Sequence, residues 1–242
     1  MNQEKTACIF PAILLNARPG AGKSEIIEYL KNLENDERRK KYHIGKIHVI
    51  DDFPFLWRWF EEDHLLETMG KNRLFTDSKG YFKYEYLWDL LILMINLEYK
   101  KFLRDTPDSD EYTVILEFSR GVQHGGYQRA YPLLSDQILQ YLAILYVNVS
   151  WEESLRKNRE RFNPDRPDSV LEHGLPDEKL DFLYSDCDFE RISSGMNGSI
   201  KINEYLIPFS VFENEDDVTT LSTEKIGPRL KKCMRELWNR RV

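Results

Sequence analysis

A chain of 242 residues with 41% hydrophobic, 13% aromatic and 31% charged residues can bury a sizeable core, which excludes a mainly disordered protein. Its 34 Lys and Arg against 41 Asp and Glu give a formal charge of −7, so no long basic tract is available to neutralise duplex nucleic acid. Three scattered cysteines, Cys8, Cys187 and Cys233, match neither a disulfide framework nor a zinc pattern and point to a reducing, cytoplasmic setting. The opening residues read as no secretory signal, and no run reaches the ~20 apolar residues of a membrane span.

Short apolar runs alternate with amphipathic stretches, the pattern of βαβ units and a mainly parallel sheet. The first predicted strand covers residues 8–15 and leads through a Gly-rich loop at 16–24 into a helix from 25 to about 42. Ile26, Ile27, Leu30 and Leu33 form its inward stripe, and its charged tail reads as a solvated helix end. A second strand at 44–50 runs into Asp51 and Asp52. The third, at 112–116, follows about 60 residues later, more than a crossover needs, so 53–108 is predicted as a helical insertion. That insertion contains an aromatic segment from Phe53, a turn at 77–80 and an apolar helix whose residues 87–97 offer a possible homodimer seam. Strands at 142–149 and 207–212 complete an expected five, with an Arg-rich lid at about 156–185. The last helix, about 220–241, turns Leu230, Met234 and Leu237 inward. The expectation is one domain over residues 1–242: three α/β layers with helices on both faces of a five-stranded sheet.

The strongest motif is Ala17-Arg18-Pro19-Gly20-Ala21-Gly22-Lys23-Ser24, directly after a strand and before an amphipathic helix. In a phosphate-binding loop the backbone N–H groups of residues such as Gly20, Ala21, Gly22, Lys23 and Ser24 and a helix N-terminus converge on an anion, with Pro19 also expected to contact the nucleotide. Glycines permit the close approach, Lys23 reaches the terminal phosphates and Ser24 offers a hydroxyl to Mg²⁺. Ala17 stands where the first glycine is usual.

Asp51 and Asp52 close the second strand, where an open parallel sheet places its ligand crevice. A carboxylate there accepts a proton from an attacking hydroxyl or holds a metal-bound water, the alternative being a helix cap. Glu117 ends the third strand in the position of a Mg²⁺-ligating acid, and Arg120 follows within reach of a phosphate or of the acceptor. Arg156, Arg159, Arg161 and Arg166 cluster after the fourth strand. They suit the charge of a transferring phosphoryl group, or else form a surface helix salt-bridged to Glu152, Glu153 and Glu160. Trp57, Trp59 and Phe60 either wall a nucleobase site or pack a helix onto the sheet, with Trp57 the preferred stacking residue. His124, alone in a Gly-rich turn, is given no role. The turn at 212–217 is expected to flank the donor base.

Taken together these motifs resemble the P-loop nucleoside and nucleotide kinases, and most closely the deoxyribonucleoside kinases. Asp52, Pro54 and Trp57 correspond to that family's strand-two acid, Pro and Trp. Arg159, Arg161, Glu172, Pro176, Leu180 and Leu183 follow the order of its lid. The family's acid is Glu directly before Pro, whereas Phe53 intervenes here; its Glu-Arg-Ser is replaced by Glu117-Phe118-Ser119-Arg120. The resemblance implies Mg·ATP as donor, Asp52 as base, Glu117 on Mg²⁺ and lid arginines on the phosphates. Its implied acceptor is a (deoxy)nucleoside. A nucleoside monophosphate or sugar acid such as shikimate is the alternative acceptor, and a non-transferring regulatory NTPase the alternative function. Arg58 is the one cation close to Asp52 in sequence on the insertion side, which favours a neutral acceptor.

Overall fold

The computed structural model describes residues 8–161, 175–221 and 223–241. Its sheet is built from β1 (Ala12–Ala17), β2 (Lys46–Asp51), β3 (Tyr112–Phe118), β4 (Leu142–Asn148), β5 (Asn197–Ile202) and β6 (Tyr205–Glu213). The strands lie in the order β2-β3-β1-β4-β6-β5, all parallel except β5, which pairs antiparallel with β6. The longer helices are α1 (Lys23–Asn32), α2 (Asn35–Tyr42), α3 (Phe53–Thr68), α4 (Tyr86–Asp105), α5 (Trp151–Arg161), α6 (Asp177–Tyr184) and α7 (Thr223–Arg240).

Uninterrupted apolar strands arise because both faces of the sheet are covered. Ala12, Leu14, Val114, Leu116 and Ile144 join one core with Ile92 and Ile95 of α4. Their neighbours Ile13, Leu15, Ile115, Leu145 and Val147 join a second with Ile26 of α1 and Leu230 and Met234 of α7. Each of the Val, Leu, Ile and Met side chains among them contributes roughly 1.5–3 kcal/mol on burial, so the two cores dominate the fold's stability. The central strands end together at one edge, carrying Ala17, Asp51 and Phe118 to the same crevice.

Six strands replace the expected five. The extra one, β5, alternates Ile200 and Ile202, both buried, with exposed Ser199 and Lys201, the pattern of an edge strand with one solvated face. The single helix expected over 25–42 is two. Leu33 is extended (φ −80°, ψ 145°), and Arg38 of the charged tail turns back to donate to the carbonyls of Leu30, Leu33 and Gly45 at 3.1, 3.2 and 2.9 Å. Arg38 is therefore buried rather than solvated, its guanidinium satisfying carbonyls that the break leaves open.

Between β2 and β3 lie α3 and α4, joined through a turn in which Gly80 N–H donates to Asp77 O at 3.1 Å. α4 buries Leu87, Leu91, Ile92 and Ile95; Tyr86, Leu90, Leu93 and Leu97 lie exposed on its outer face, the stripe on which a homodimer seam is anticipated. No helix among the described residues is long and apolar enough to cross a membrane.

Candidate active site

The Gly-rich loop is clamped from behind. Pro19 O accepts from Ser154 Oγ at 2.7 Å, Ala21 O from Asn214 Nδ2 at 2.8 Å and Ala17 O from Tyr127 OH at 3.2 Å. Gly22 has φ +104°, and a Cβ there would stand 2.5 Å from Thr219 Oγ1 and 2.7 Å from Asn214 Nδ2. Glycine is required at that point by both backbone conformation and space. Helix α1 starts at Lys23, so the positive end of its dipole lies at the loop. Lys23 Nζ donates to Ser119 Oγ at 3.2 Å, and Ser24 is exposed beside it.

Facing Lys23 are three carboxylates. Strand register sets Asp51 directly opposite Glu117, and Asp52 N–H donates to Glu117 O at 3.1 Å. Asp51 Oδ1 accepts the Phe53 N–H at 3.0 Å, opening α3. Asp52 Oδ2 meets Arg120 Nη1 at 2.7 Å with both side chains buried. The same guanidinium donates to Ser119 O and Trp88 O at 2.7 and 3.2 Å and lies against the Trp88 and Phe118 rings.

Burial pushes the Glu117 carboxyl up to about 7, Lys23 opposing and the charges of Asp51 and Asp52 adding to it. Asp51 is pushed up to about 6 by burial and Asp52, against the Phe53 amide, Lys23 and Arg161. Burial also raises Asp52, while Arg120 pulls it back. Native-state carboxyls raised above their unfolded values keep more protons than the unfolded chain, so stability falls as pH rises from about 4 to about 7. Glu117→Gln is therefore expected to stabilise the metal-free protein at pH 7.5 by about 1–3 kcal/mol, a gain that vanishes near pH 4. Thermal melts at the two pH values check it; a melting point unchanged at pH 7.5 would refute the strained cluster.

These groups enclose a chamber of about 130 Å³ lined also by Pro19, Gly20, Ser24 and Arg161. Phe53, Leu56, Trp88, Leu175 and Tyr184 line both this chamber and an adjoining cavity of about 610 Å³, which α3, α4, the 77–80 turn and α6 enclose. That volume suits a small organic molecule. Aromatic rings dominate its wall: Trp57, Phe60, Tyr81, Phe82, Trp88 and Phe182. Helical periodicity separates Trp57, which lines the cavity, from Trp59, which is buried against Phe75 with ring centroids 5.3 Å apart.

Of the lid arginines, Arg161 lines the chamber; Arg156 and Arg159 do not. Arg156 pairs with Glu153 and Glu160 at 2.6 Å each and with Asp217 at 3.0 Å, over the turn expected to flank the donor base. Arg159 is exposed and pairs with Asp177 of α6 at 2.6 Å. The surface salt-bridge alternative thus describes Arg156, whereas Arg159 pairs across to another helix instead of with Glu152, Glu153 or Glu160. Arg166 and Glu172 lie outside the described residues.

Sequence reasoning missed two residues. Asp63, fully buried, accepts from the amides of Leu74, Phe75 and Thr76 and from Thr76 Oγ1, pinning the chain that leads to the cavity turn. Burial raises its carboxyl, but those donors outweigh it and hold the group below the usual range. Its contribution is thus present above pH ~4 and lost on acidification. Asp63→Ala should cost about 3 kcal/mol in urea unfolding at pH 7, because three amides lose an ionised acceptor; a cost under about 1 kcal/mol would contradict that role. A local Asp among aromatics offered no signal, since its partners sit 11 to 13 residues away. His124 is the second: buried, stacked on Trp88 at 3.9 Å and pushed down to about 3 by burial and by Arg120, it backs the cavity wall as a neutral ring.

No protein-family model and no curated protein matches the chain. Among solved structures it is similar to the crystal structure of APE1195, with 14% identity over 94% of this chain and 96% of that one and a TM-score of 0.38. It is similar also to the crystal structure of TT1252 from Thermus thermophilus, with 19% identity over 93% and 97% of the two chains and a TM-score of 0.39. Likeness at that level assigns neither activity nor ligand.

Proposed function

We propose that the chain is a P-loop kinase that moves the γ-phosphate of Mg·ATP to a hydroxyl of a small acceptor, a (deoxy)nucleoside first among the candidates. The observation that carries this reading is the meeting of Lys23 and the clamped Gly-rich loop with Asp51, Asp52 and Glu117 in one chamber, continuous with an aromatic cavity. The β2-β3-β1-β4 order also supports it, because it brings the loop and both acidic strand ends to one edge.

In this reading the backbone N–H groups of residues 20–24 and the Lys23 ammonium hold the β- and γ-phosphates, with Pro19 shaping the start of the loop. Hard oxygen donors suit Mg²⁺, and Ser24 and Glu117 are the side chains that would hold it; when bound it neutralises charge developing on the phosphates. The acceptor lies against Trp57 and Trp88. Its hydroxyl oxygen attacks the γ-phosphorus, the bond to the ADP oxygen breaks and the hydroxyl proton passes to Asp52. Arg120 fixes that carboxylate, and Arg161 stabilises the charge in transit. Arg159 acts through Asp177, tying the two lid helices together.

A panel of nucleosides, nucleotides and hydroxy acids incubated with Mg·ATP, scored for ADP release and product mass, tests the assignment. A phosphorylated acceptor is the expected outcome. ADP without one would favour the regulatory NTPase, and neither would remove the kinase reading.

A further inference from the structure

Arg73, Lys79 and Lys179 bring cationic groups to the wall of the larger cavity. Two carboxylates line it: Glu85 is paired with Arg129, and Asp77 Oδ1 accepts the Lys79 and Tyr81 amides, each at 2.9 Å, inside its own turn. Of the cations there, Arg73 is held by Glu67 at 2.7 Å. Lys179 of α6 differs. Its stem is half-buried, Nζ donates to Gly80 O at 3.2 Å and stands 5.0 Å from the centre of the Tyr81 ring. No carboxylate among the described residues comes within 4.0 Å of it.

An ammonium has three donors, and among the described residues this one spends a single donor, on a backbone carbonyl. Burial lowers its pKa, with Asp77 opposing from a distance. A half-buried ammonium on the wall of a ligand-sized cavity, with donors to spare, favours an anion as a further partner. Lys79 lines the same part of the wall. One carboxylate matches this donor set better than a phosphate dianion, which typically recruits arginine forks.

Placement along α6 adds a dimension. Tyr184 lines both chamber and cavity while Lys179 lines the cavity alone, and the five-residue separation (184 − 179) spans about 7.5 Å of helix. That is roughly the length of a ring with substituents at opposite ends.

We propose that Lys179 forms an anion subsite, and that the acceptor carries a carboxylate at the end remote from its reactive hydroxyl. This rests on the kinase reading for the hydroxyl end alone. It also revises the expectation of a neutral acceptor, since Arg58 pairs with Glu62 outside the cavity and the cation comes instead from a distant helix.

The test uses the full chain and two matched pairs of probes, 5-carboxyuridine with uridine and para-(hydroxymethyl)benzoate with para-(hydroxymethyl)benzamide. Each is titrated while the fluorescence of the cavity residues Trp57 and Trp88 is followed, without ATP. In at least one pair the carboxylate member should bind about tenfold more tightly. Lys179→Met, which keeps the apolar stem, should erase that preference without altering affinity for the neutral member, and Lys179→Arg should restore it. Melting curves report whether each variant is folded. Equal affinity within both pairs, failure of both carboxylates to bind, or a preference that survives in Lys179→Met would overturn the subsite. The same pairs with Mg·ATP separate the two claims. Carboxylate preference without transfer sinks the kinase and leaves the subsite, whereas transfer without preference does the reverse.

Discussion

Lys23→Ala is expected to abolish phosphoryl transfer, by at least about 10²–10³-fold, with the protein still folded. Among the described residues Lys23 Nζ has one hydrogen bond, to Ser119 Oγ at 3.2 Å, so the side chain can swing to an arriving phosphate without breaking an ion pair with them. Its charge also offsets burial at Asp51, Asp52 and Glu117. Removing it should push all three carboxyls further up and move the acid limb of any pH–rate profile to higher pH. Calorimetry with Mg·ATP should record weakened binding in the variant, and an ADP-release assay the loss of turnover. A Lys23→Ala protein that binds and turns over Mg·ATP like wild type would remove the anion cup on which the functional reading stands.

Asp52→Asn should leave Mg·ATP affinity intact and lower transfer about 10²–10⁴-fold, the range a general base supplies. The same change strands the buried Arg120 guanidinium. Breaking a buried pair costs about 3 kcal/mol or more, and here Ser119 O, Trp88 O and two aromatic faces remain to soften it, so a melting point several degrees lower is expected. Asp51→Asn is the discriminating variant. Asp51, pushed up to about 6, lies opposite Glu117 and feels the charge of Arg161, whereas Asp52 is hydrogen-bonded to Arg120. If transfer survives Asp52→Asn and is lost in Asp51→Asn, the proton goes to Asp51 instead. In the wild type, activity should climb between about pH 6 and 7 as Asp51 and Glu117 ionise, because deprotonated carboxylates serve the proton and the metal.

Much of the architecture was readable before any coordinates. Runs such as Leu142–Asn148 are apolar without alternation, which only a sheet covered on both faces explains, and the structure covers both. The loop at 17–24 was recognisable because its residues act locally, through backbone conformation and the start of one helix. β5 escaped because half of its residues face solvent, and the break at Leu33 because the compensating donors of Arg38 reach Gly45, beyond the helix. At the site, Arg161 reaches the chamber whereas Arg156, five residues earlier, does not. Spacing in the chain could not separate them, since partners such as Asp217 and Asp177 belong to other elements.

The chain's own order of residues determined the alternating strands and helices, the Gly-rich loop, and the acids that end β2 and β3, because hydrophobic periodicity and turn chemistry are short-range. Only the tertiary structure decided that Asp52 is sealed against Arg120, that Trp57 rather than Trp59 faces the cavity, and that Lys179 stands on its wall. Those outcomes depend on desolvation and on which charges meet across elements far apart in the chain. Both are properties of packing, and no local pattern encodes them.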